Sequence, residues 1–327
     1  MATELLELRV RSVTYQAEEI NAYELVDSAG GELPPFTAGA HIDVHVGGGL
    51  IRQYSLSNDP RERHRYVIGV LYEPGGRGGS KALHETVHTG SMLTISEPRN
   101  NFPLAGRAGH HILLAGGIGV TPMMAMVADL RARRSKFTLH YCTRSPEKTA
   151  FMNQVADLIA EGSVVVHHDG GAPSEGLDIK GLLADHQSGT HLYYCGPTGF
   201  MQATENASAH WPKGSVHFEY FSVPDEEANA ASAAAGGGDG DGGFQIKVAS
   251  SGAVFGVPAD KSIVDVLRAN GIEVDTSCES GLCGTCQTKY LEGDPEHNDL
   301  LLDDDEQKEF VMICCARSNS PLIVLDL

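Results

Sequence analysis

Cys278-Glu-Ser-Gly-Leu-Cys283-Gly-Thr-Cys286 puts three thiols into one short loop, and Cys314 follows 28 positions after the last of them with Cys315 beside it. Seven cysteines are present, an odd number, and five of them fall between Cys278 and Cys315. The chain opens MATELLELRVRSV, Met1 to Val13, without the basic segment and following apolar run that mark a secretory signal. No export is therefore expected, and a disulfide framework is not either. Thiols crowded in this way point to ligation.

The pattern C-x4-C-x2-C with a distant fourth cysteine is the plant-type spacing of a 2Fe-2S cluster. Such a cluster needs four thiolates converging within a few ångströms. Three come from one tight loop, where Gly281 and Gly284 permit unusual backbone angles, and one comes from a distant segment. Cys314 and Cys315 compete for the fourth place. A structural zinc site also uses four cysteines, but zinc motifs usually carry two short C-x2-C-like pairs and only one exists here.

Around this loop, Phe244 to Val248 and Ala253 to Val257 read as a hairpin, and Ser262 to Asn270 as a helix closed by Gly271. Residues 244–327 thus make a compact α+β domain. It is preceded at 223–243 by VPDEEANAASAAAGGGDGDGG, which holds no large apolar group after its first residues and reads as a flexible linker. Residues 1–107 alternate apolar and polar positions in short runs such as Ala40 to Val46 and Tyr66 to Tyr72, the pattern of a small antiparallel barrel. From residue 108 the rhythm changes. Strand candidates at Ile112 to Ala115, Phe137 to Cys142, Val164 to His168, His191 to Cys195 and Val216 to Phe221 alternate with helix-length segments, the first from Thr121 to Arg134. Alternation of that kind implies a parallel sheet with crossover helices over 108–222.

A length of 327 residues agrees with several domains, since one hydrophobic core rarely grows that large. The formal net charge of -19 argues against nucleic acid, whose phosphates would be repelled. It disfavours anionic membranes for the same reason. Residues 244–327 hold 15 Asp plus Glu against 6 Lys plus Arg, a local net of -9 that would steer toward a basic partner. The richest apolar stretch, His111 to Val127, is broken by glycines and a proline and falls short of the roughly 18 residues that suggest a membrane span. A soluble cytoplasmic monomer is expected.

Two further stretches carry chemistry. Gly75-Gly-Arg-Gly-Gly-Ser80-Lys81 leads into a helical pattern, where amides freed of side chains suit a phosphate. Gly116-Gly-Ile-Gly119-Val-Thr121-Pro122 lies between a strand and a helix, where glycines let the chain approach a pyrophosphate. Adjacent histidines such as His110 and His111, or His167 and His168, point to opposite faces of a strand, so no metal site is assigned to them. Ser55 lacks the G-x-S-x-G surroundings of a hydrolytic nucleophile.

Arg52-Gln-Tyr-Ser55 resembles the R-x-Y-S motif of ferredoxin-reductase-like flavin domains, and the glycine-rich Gly78 stretch follows at the family's interval and order. Cys195-Gly-Pro197 resembles the second nicotinamide signature of the same proteins, and His217 to Phe221 their closing aromatic run. With the cluster loop at the C-terminal end, nearly the whole chain resembles the phthalate dioxygenase reductase family, which includes vanillate demethylase reductases.

That resemblance implies Arg52 on the flavin phosphate, Tyr54 against the ribityl and ring, and Ser55 beside flavin N5. It also implies flavin contacts from Gln53, Val70, Leu71, Tyr72, Gly78, Gly79, Ser80 and Lys81. For the nicotinamide nucleotide it implies Gly116, Gly117, Gly119, Thr121, Pro122, Cys195, Gly196 and Pro197. Phe221 would cover the flavin until the nicotinamide displaces it, and Cys314 rather than Cys315 would complete the ligand set with Cys278, Cys283 and Cys286. FMN is implied over FAD because no segment is added for an adenine, and NADH over NADPH; Arg144, just after the strand Thr138 to Cys142, could pair with a 2'-phosphate, but a lone exposed arginine is more often simply solvated.

The three parts belong together chemically. A nicotinamide delivers two electrons as hydride, a 2Fe-2S cluster changes by one, and a flavin bridges the mismatch. The expected function is a reductase that feeds a Rieske-type oxygenase. A reductase serving a cytochrome P450 is the alternative within enzymes, and a non-catalytic redox sensor the alternative outside them.

Overall fold

The computed structural model describes residues 5–47, 50–76, 78–106, 108–221, 243–276 and 278–327. The chain divides into two compact units, Met1–Phe221 and Ser222–Leu327. The linker expected over 223–243 lies outside the described residues apart from Gly243.

In the first unit, six antiparallel strands come from the alternating N-terminal segments. They are β1 (Leu5–Ala17), β2 (Ile20–Asp27), β3 (His41–His45), β4 (Ile51–Ser55), β5 (Tyr66–Leu71) and β6 (Met92–Ser96). Their order is β4-β3-β6-β1-β2-β5, and a bridge between Leu56 and Ile68 joins the two outer strands. The sheet is thereby closed into the expected barrel, which removes its free edges. Helix α1 (Gly79–Thr86) packs beside β5.

The second half of this unit is a five-stranded sheet, parallel throughout, built from β7 (His110–Gly116), β8 (Phe137–Thr143), β9 (Val164–His168), β10 (Thr190–Cys195) and β11 (Val216–Glu219). Its order is β11-β10-β7-β8-β9. The chain winds outward from β7 to β9, then returns to the other side of β7, so the strand order reverses between β7 and β10. In open sheets of this class, ligands bind outside the carboxyl ends of the strands at such a reversal.

Helix α2 (Val120–Arg133) joins the two halves. Pro122 lies in its first turn, where no backbone hydrogen is needed, and Arg131 and Arg133 face the negative end of the helix dipole. Residues Val120 to Val127 are all buried, as expected of a helix packed on more than one side. It rests on β7 and β8, and Thr121 also approaches Gly69 of the barrel so closely that a Cβ there would lie 2.7 Å from the Thr121 methyl. One continuous core therefore runs from Val10, Leu25 and Ile42 of the barrel through Met123 and Met126 to Leu113 and Leu139 of the parallel sheet. Short helices α3 (Met152–Ala160), α4 (Ile179–Leu183) and α5 (Thr198–Ser208) complete the crossovers, and Trp211 is buried with α4 and α5 over the outer part of the sheet.

The second unit has its own core. Strands β12 (Phe244–Val248) and β13 (Val254–Val257) form the expected hairpin. Sheet order is β13-β12-β18-β14-β16, with β14 (Gln287–Glu292), β16 (Phe310–Met312) and β18 (Leu322–Leu325). The β12–β18 pair is parallel and the others antiparallel, the β-grasp arrangement of an α+β domain. Helix α6 (Ile263–Ala269) starts at Ser262, whose hydroxyl accepts from the Asp265 amide while the Asp265 carboxylate takes the Ser262 amide in return. The apolar face of α6, Ile263, Val264, Val266 and Leu267, is buried with Ile246, Ile313 and Ile323. β15 (Pro295–Glu296) and β17 (Arg317–Ser318) form a separate short ladder.

Candidate functional site

The cluster loop is built around four buried, unoxidised cysteines, Cys278, Cys283, Cys286 and Cys314. Their side chains meet in two pairs, Cys278 with Cys283 and Cys286 with Cys314. Among the described residues no three His, Cys, Asp or Glu side chains gather on a single point as one metal ion would require. Cys278, Cys283, Cys286 and Cys314 would hold a 2Fe-2S cluster, whose plant-type spacing they carry, whereas zinc motifs usually carry two short C-x2-C-like pairs.

Backbone amides turn inward toward the sulfurs. Gly281 N donates to Cys314 Sγ at 3.3 Å, Ser280 N and Leu282 N to Cys278 Sγ at 3.4 Å, and Thr285 N to Cys283 Sγ at 3.5 Å. Gly281 has φ +71°, and a side chain there would strike Cys315 Sγ and Asp299. That glycine brings the loop onto the Cys314 segment. Cys315 is half-buried, its sulfur 3.7 Å from the Met312 carbonyl, and its side chain also meets Cys314. The hydrogen bond with Cys314 and then burial push the Cys286 thiol up, whereas the hydrogen bond with Cys278 pulls Cys283 down to about 5. Negative charge there calls for cations among the sulfurs, which two irons supply. The donor set fits the cluster.

In the first unit, Arg52, Gln53, Tyr54 and Ser55 lie on β4, and Val70 and Leu71 on β5, with Tyr72 just beyond it. The Arg52 stem packs so tightly on Gly79 at the head of α1 that any Cβ there would collide with it. Gly78, the N-cap, has φ +84°, and no side chain caps the helix, so the first-turn amides of Gly79, Ser80 and Lys81 stand open beside a guanidinium. This cradle suits a phosphate. Tyr54 is half-buried, and burial pushes its phenol above the usual range.

The nucleotide motifs meet at the reversal of strand order. Gly116 ends β7 and Gly117, Gly119, Thr121 and Pro122 follow it, while Cys195 ends the neighbouring β10 and Gly196 and Pro197 follow. A Cβ on Gly196 would lie 3.0 Å from Gly116 Cα, and one on Gly119 would collide with the Cys195 carbonyl. The two loops are thus in contact through their backbones, and only glycine allows it. Phe221 lies two residues past the end of β11 and is 40% exposed.

Glu219 was missed in the sequence. It ends β11 in register with Cys195, and its Oε2 accepts a hydrogen bond from Ser55 Oγ at 3.0 Å. Its side chain thus joins β11 to the barrel motif, while strand pairing sets it beside the nucleotide motif. Burial pushes its carboxyl up to about 7, although the Ser55 bond opposes the shift. A carboxylate on the strand before the closing aromatic was the available signal.

Histidines of the parallel sheet also pair, across strands rather than along them. His140 Nδ1 is 3.1 Å from His167 Nε2, and His191 Nδ1 is 3.0 Å from His217 Nε2. Each bond needs one ring nitrogen to donate and the other to accept, and burial pulls His140 and His217 down to about 4.

Comparison with known proteins agrees with both halves. Residues 246–319 match the 2Fe-2S iron-sulfur cluster binding domain, and residues 113–206 the oxidoreductase NAD-binding domain. The chain is 52% identical over 98% of its length, and 96% of the relative's, to the tert-butanol monooxygenase / tert-amyl alcohol desaturase reductase subunit of Aquincola tertiaricarbonis. It is 46% identical over 95% of its length and 96% of the relative's to the vanillate O-demethylase oxidoreductase of Pseudomonas putida. Among solved structures, phthalate dioxygenase reductase, described as a modular structure for electron transfer from pyridine nucleotides to [2Fe-2S], aligns at a TM-score of 0.76. It has 40% identity and covers 99% of this chain and 98% of that one. An intact type IV self-sufficient cytochrome P450 monooxygenase aligns at 0.84 with 34% identity, across 99% of this chain and 41% of its own. Among the described residues no helix is long and apolar enough to cross a membrane. By fold, cluster loop and full-length likeness, the chain belongs to the phthalate dioxygenase reductase family.

Proposed function

We propose that this protein is the reductase of a Rieske-type oxygenase, moving electrons from NADH through FMN in the barrel to a 2Fe-2S cluster in the second unit and on to the oxygenase. The observation that carries this reading is Glu219, bonded to Ser55 of the flavin motif and in register with Cys195 of the nicotinamide motif. The parts divide as residues 1–107 for flavin, 108–222 for the nicotinamide nucleotide, 223–243 as linker and 244–327 for the cluster.

When bound, FMN supplies a ring that takes a hydride's two electrons together and gives them up singly. Arg52 and the amides of Gly79 and Ser80 bind the phosphate, Tyr54 and Gln53 line the ring, and Ser55 Oγ stands beside N5. Val70, Leu71 and Tyr72 form the adjoining wall, with Gly78 and Lys81 completing the phosphate cradle. Gly116, Gly117, Gly119, Thr121 and Pro122 receive the pyrophosphate of NADH, and Cys195, Gly196 and Pro197 bracket its nicotinamide. Phe221 covers the ring and yields to the nicotinamide. Cys278, Cys283, Cys286 and Cys314 hold the irons. Glu219 accepts the Ser55 hydroxyl and titrates near neutrality, raised by burial to about 7.

An absorption spectrum of the purified protein tests the reading. Flavin and 2Fe-2S bands bleached by NADH are expected, with FMN rather than FAD released on heating. A colourless, zinc-loaded protein would overturn it. Higher catalytic efficiency with NADPH would overturn the NADH assignment, and would put Arg144 in contact with a 2'-phosphate.

A second reading is favoured by the likeness to the reductase portion of a self-sufficient P450: the acceptor here is a separate haem protein. Turnover with a Rieske oxygenase against turnover with a P450 separates the two.

A further inference from the structure

Five cysteines crowd the second unit, and a 2Fe-2S cluster takes four. Cys142 and Cys195 belong to strands of the first unit, so Cys315 is the thiol left over beside the ligand set. It shares one tight turn with Cys314, in which the amides of Cys315 and Ala316 both donate to the Met312 carbonyl, at 3.2 and 3.0 Å. Both sulfurs also touch Gly281. Its amide donates to Cys314 Sγ at 3.3 Å, and a Cβ built on it would lie 2.7 Å from Cys315 Sγ. Only a glycine lets the second sulfur come so near.

One neighbouring segment pins both sides of this contact. Asn298 Nδ2 donates to the Cys315 carbonyl at 3.3 Å, and Leu300 N donates to the Gly281 carbonyl at 3.3 Å. What separates the two adjacent thiols is access. Cys278, Cys283, Cys286 and Cys314 are between 4% and 7% exposed, whereas Cys315 is half-buried. The rim of the loop therefore carries a sulfur that its floor does not use.

A cluster held by thiolates passes from donor to acceptor by exchange, one thiolate entering as another leaves. The first thiol of the chain must reach the iron while the donor still holds it, and the four buried ligands do not present their sulfurs outside the loop. We propose that Cys315 is the entry thiol of the cluster site, taking up a 2Fe-2S complex carried by small thiolates and yielding its place to Cys314. The Fe–S bond to Cys315 forms as one to the donor breaks, and the Cys315 proton goes to the departing thiolate. Cys314 then bonds the same iron as Cys315 leaves, and its proton goes to Cys315 Sγ, which its side chain already meets. Cys278, Cys283 and Cys286 replace the remaining donor thiolates in the same way. No electron is gained or lost. Cys315 ends as a thiol beside the Met312 carbonyl, where it stands in the structure. The proposal rests on the ligand set given above.

Two measurements on the full-length chain test it. The chain is freed of iron by a chelator under reducing conditions and offered a glutathione-ligated 2Fe-2S complex, and visible circular dichroism follows insertion. Cys315→Ala and Cys315→Ser should both slow the rise about fivefold or more, since the entering thiolate is lost, yet reach the parent's final spectrum and iron content. In the second measurement, Cys314→Ala should keep about half of the parent's iron or more, held through Cys315 with altered electron paramagnetic resonance g values. Cys314→Ala combined with Cys315→Ala should keep less than about a tenth. Insertion within about twofold of the parent in both Cys315 variants would overturn the proposal. A slow Cys315→Ala beside a parent-like Cys315→Ser would overturn it too, because it marks a group that only fills space. So would a Cys314→Ala chain that retains the far-ultraviolet spectrum of the parent but is as bare of iron as the double variant. A parent chain that takes up no cluster would sink the ligand set itself, whereas unchanged Cys315 variants beside a normal parent sink the entry thiol alone.

Discussion

Glu219 Oε2 accepts the Ser55 hydroxyl at 3.0 Å, although the two residues are 164 positions apart. The bond ties the last strand of the parallel sheet to the barrel, and it buries an acid that water would otherwise ionise.

That burial has a pH signature. The Glu219 carboxyl is raised from 4.5 to about 7 in the folded state, so between those values the folded chain holds a proton that the unfolded chain has lost. The stabilisation it gives is complete below pH 4.5 and gone above pH 7. At about 1.4 kcal/mol per pH unit, the upper bound is on the order of 3 kcal/mol. Glu219→Gln has no such slope. Urea unfolding of the two proteins should show the variant gaining on the parent as pH rises from 5 to 8, and parallel curves would contradict the assignment.

His41, His140 and His217 act in the opposite sense. Each is pulled from 6.5 to about 4, chiefly by burial. Between those values the unfolded chain takes up protons that the folded chain refuses, so stability present above pH 6.5 is lost as pH falls toward 4. Three such groups outnumber Glu219. Net proton uptake on unfolding at pH 5.5, measured by calorimetry in two buffers of different ionisation heat, should be positive.

Gly119 touches the Cys195 carbonyl so closely that a Cβ has no room. Gly119→Ala must part the two nucleotide loops, and overpacking of this kind costs about 1–3 kcal/mol. The KM for NADH should rise roughly tenfold or more while flavin content stays at the parent level. An unchanged KM would mean that the nucleotide binds elsewhere.

Cys283 belongs to one sulfur pair of the cluster loop. Cys283→Ser should abolish transfer to an acceptor that needs the cluster, yet leave NADH oxidation by ferricyanide largely intact, since the proposed flavin site lies in the other unit. Equal loss of both activities would contradict the order of electron flow.

The sequence by itself determined everything that depends on short spacing. The loop from Cys278 to Cys286 carries its ligation in nine consecutive residues, and the alternation of β3 and β5, the hairpin of β12 and β13 and the helix after Ser262 follow from local periodicity and capping. Glycine loops were legible because backbone approach demands glycine. Pairings between distant strands were not. Which strands flank β7, and so where the order reverses, is set by crossover connections that leave no local mark. Nothing in the composition of β11 binds Glu219 to Ser55, places His41 behind both, or matches His140 with His167. Those relations exist because parallel strands align residues far apart in the chain and because α2, buried on both sides, holds the barrel against the sheet. Cys314 and Cys315 are neighbours in sequence, and only the fold sets the direction of their side chains: Cys314 lies beside Cys286 and accepts from the Gly281 amide, whereas Cys315 faces the Met312 carbonyl.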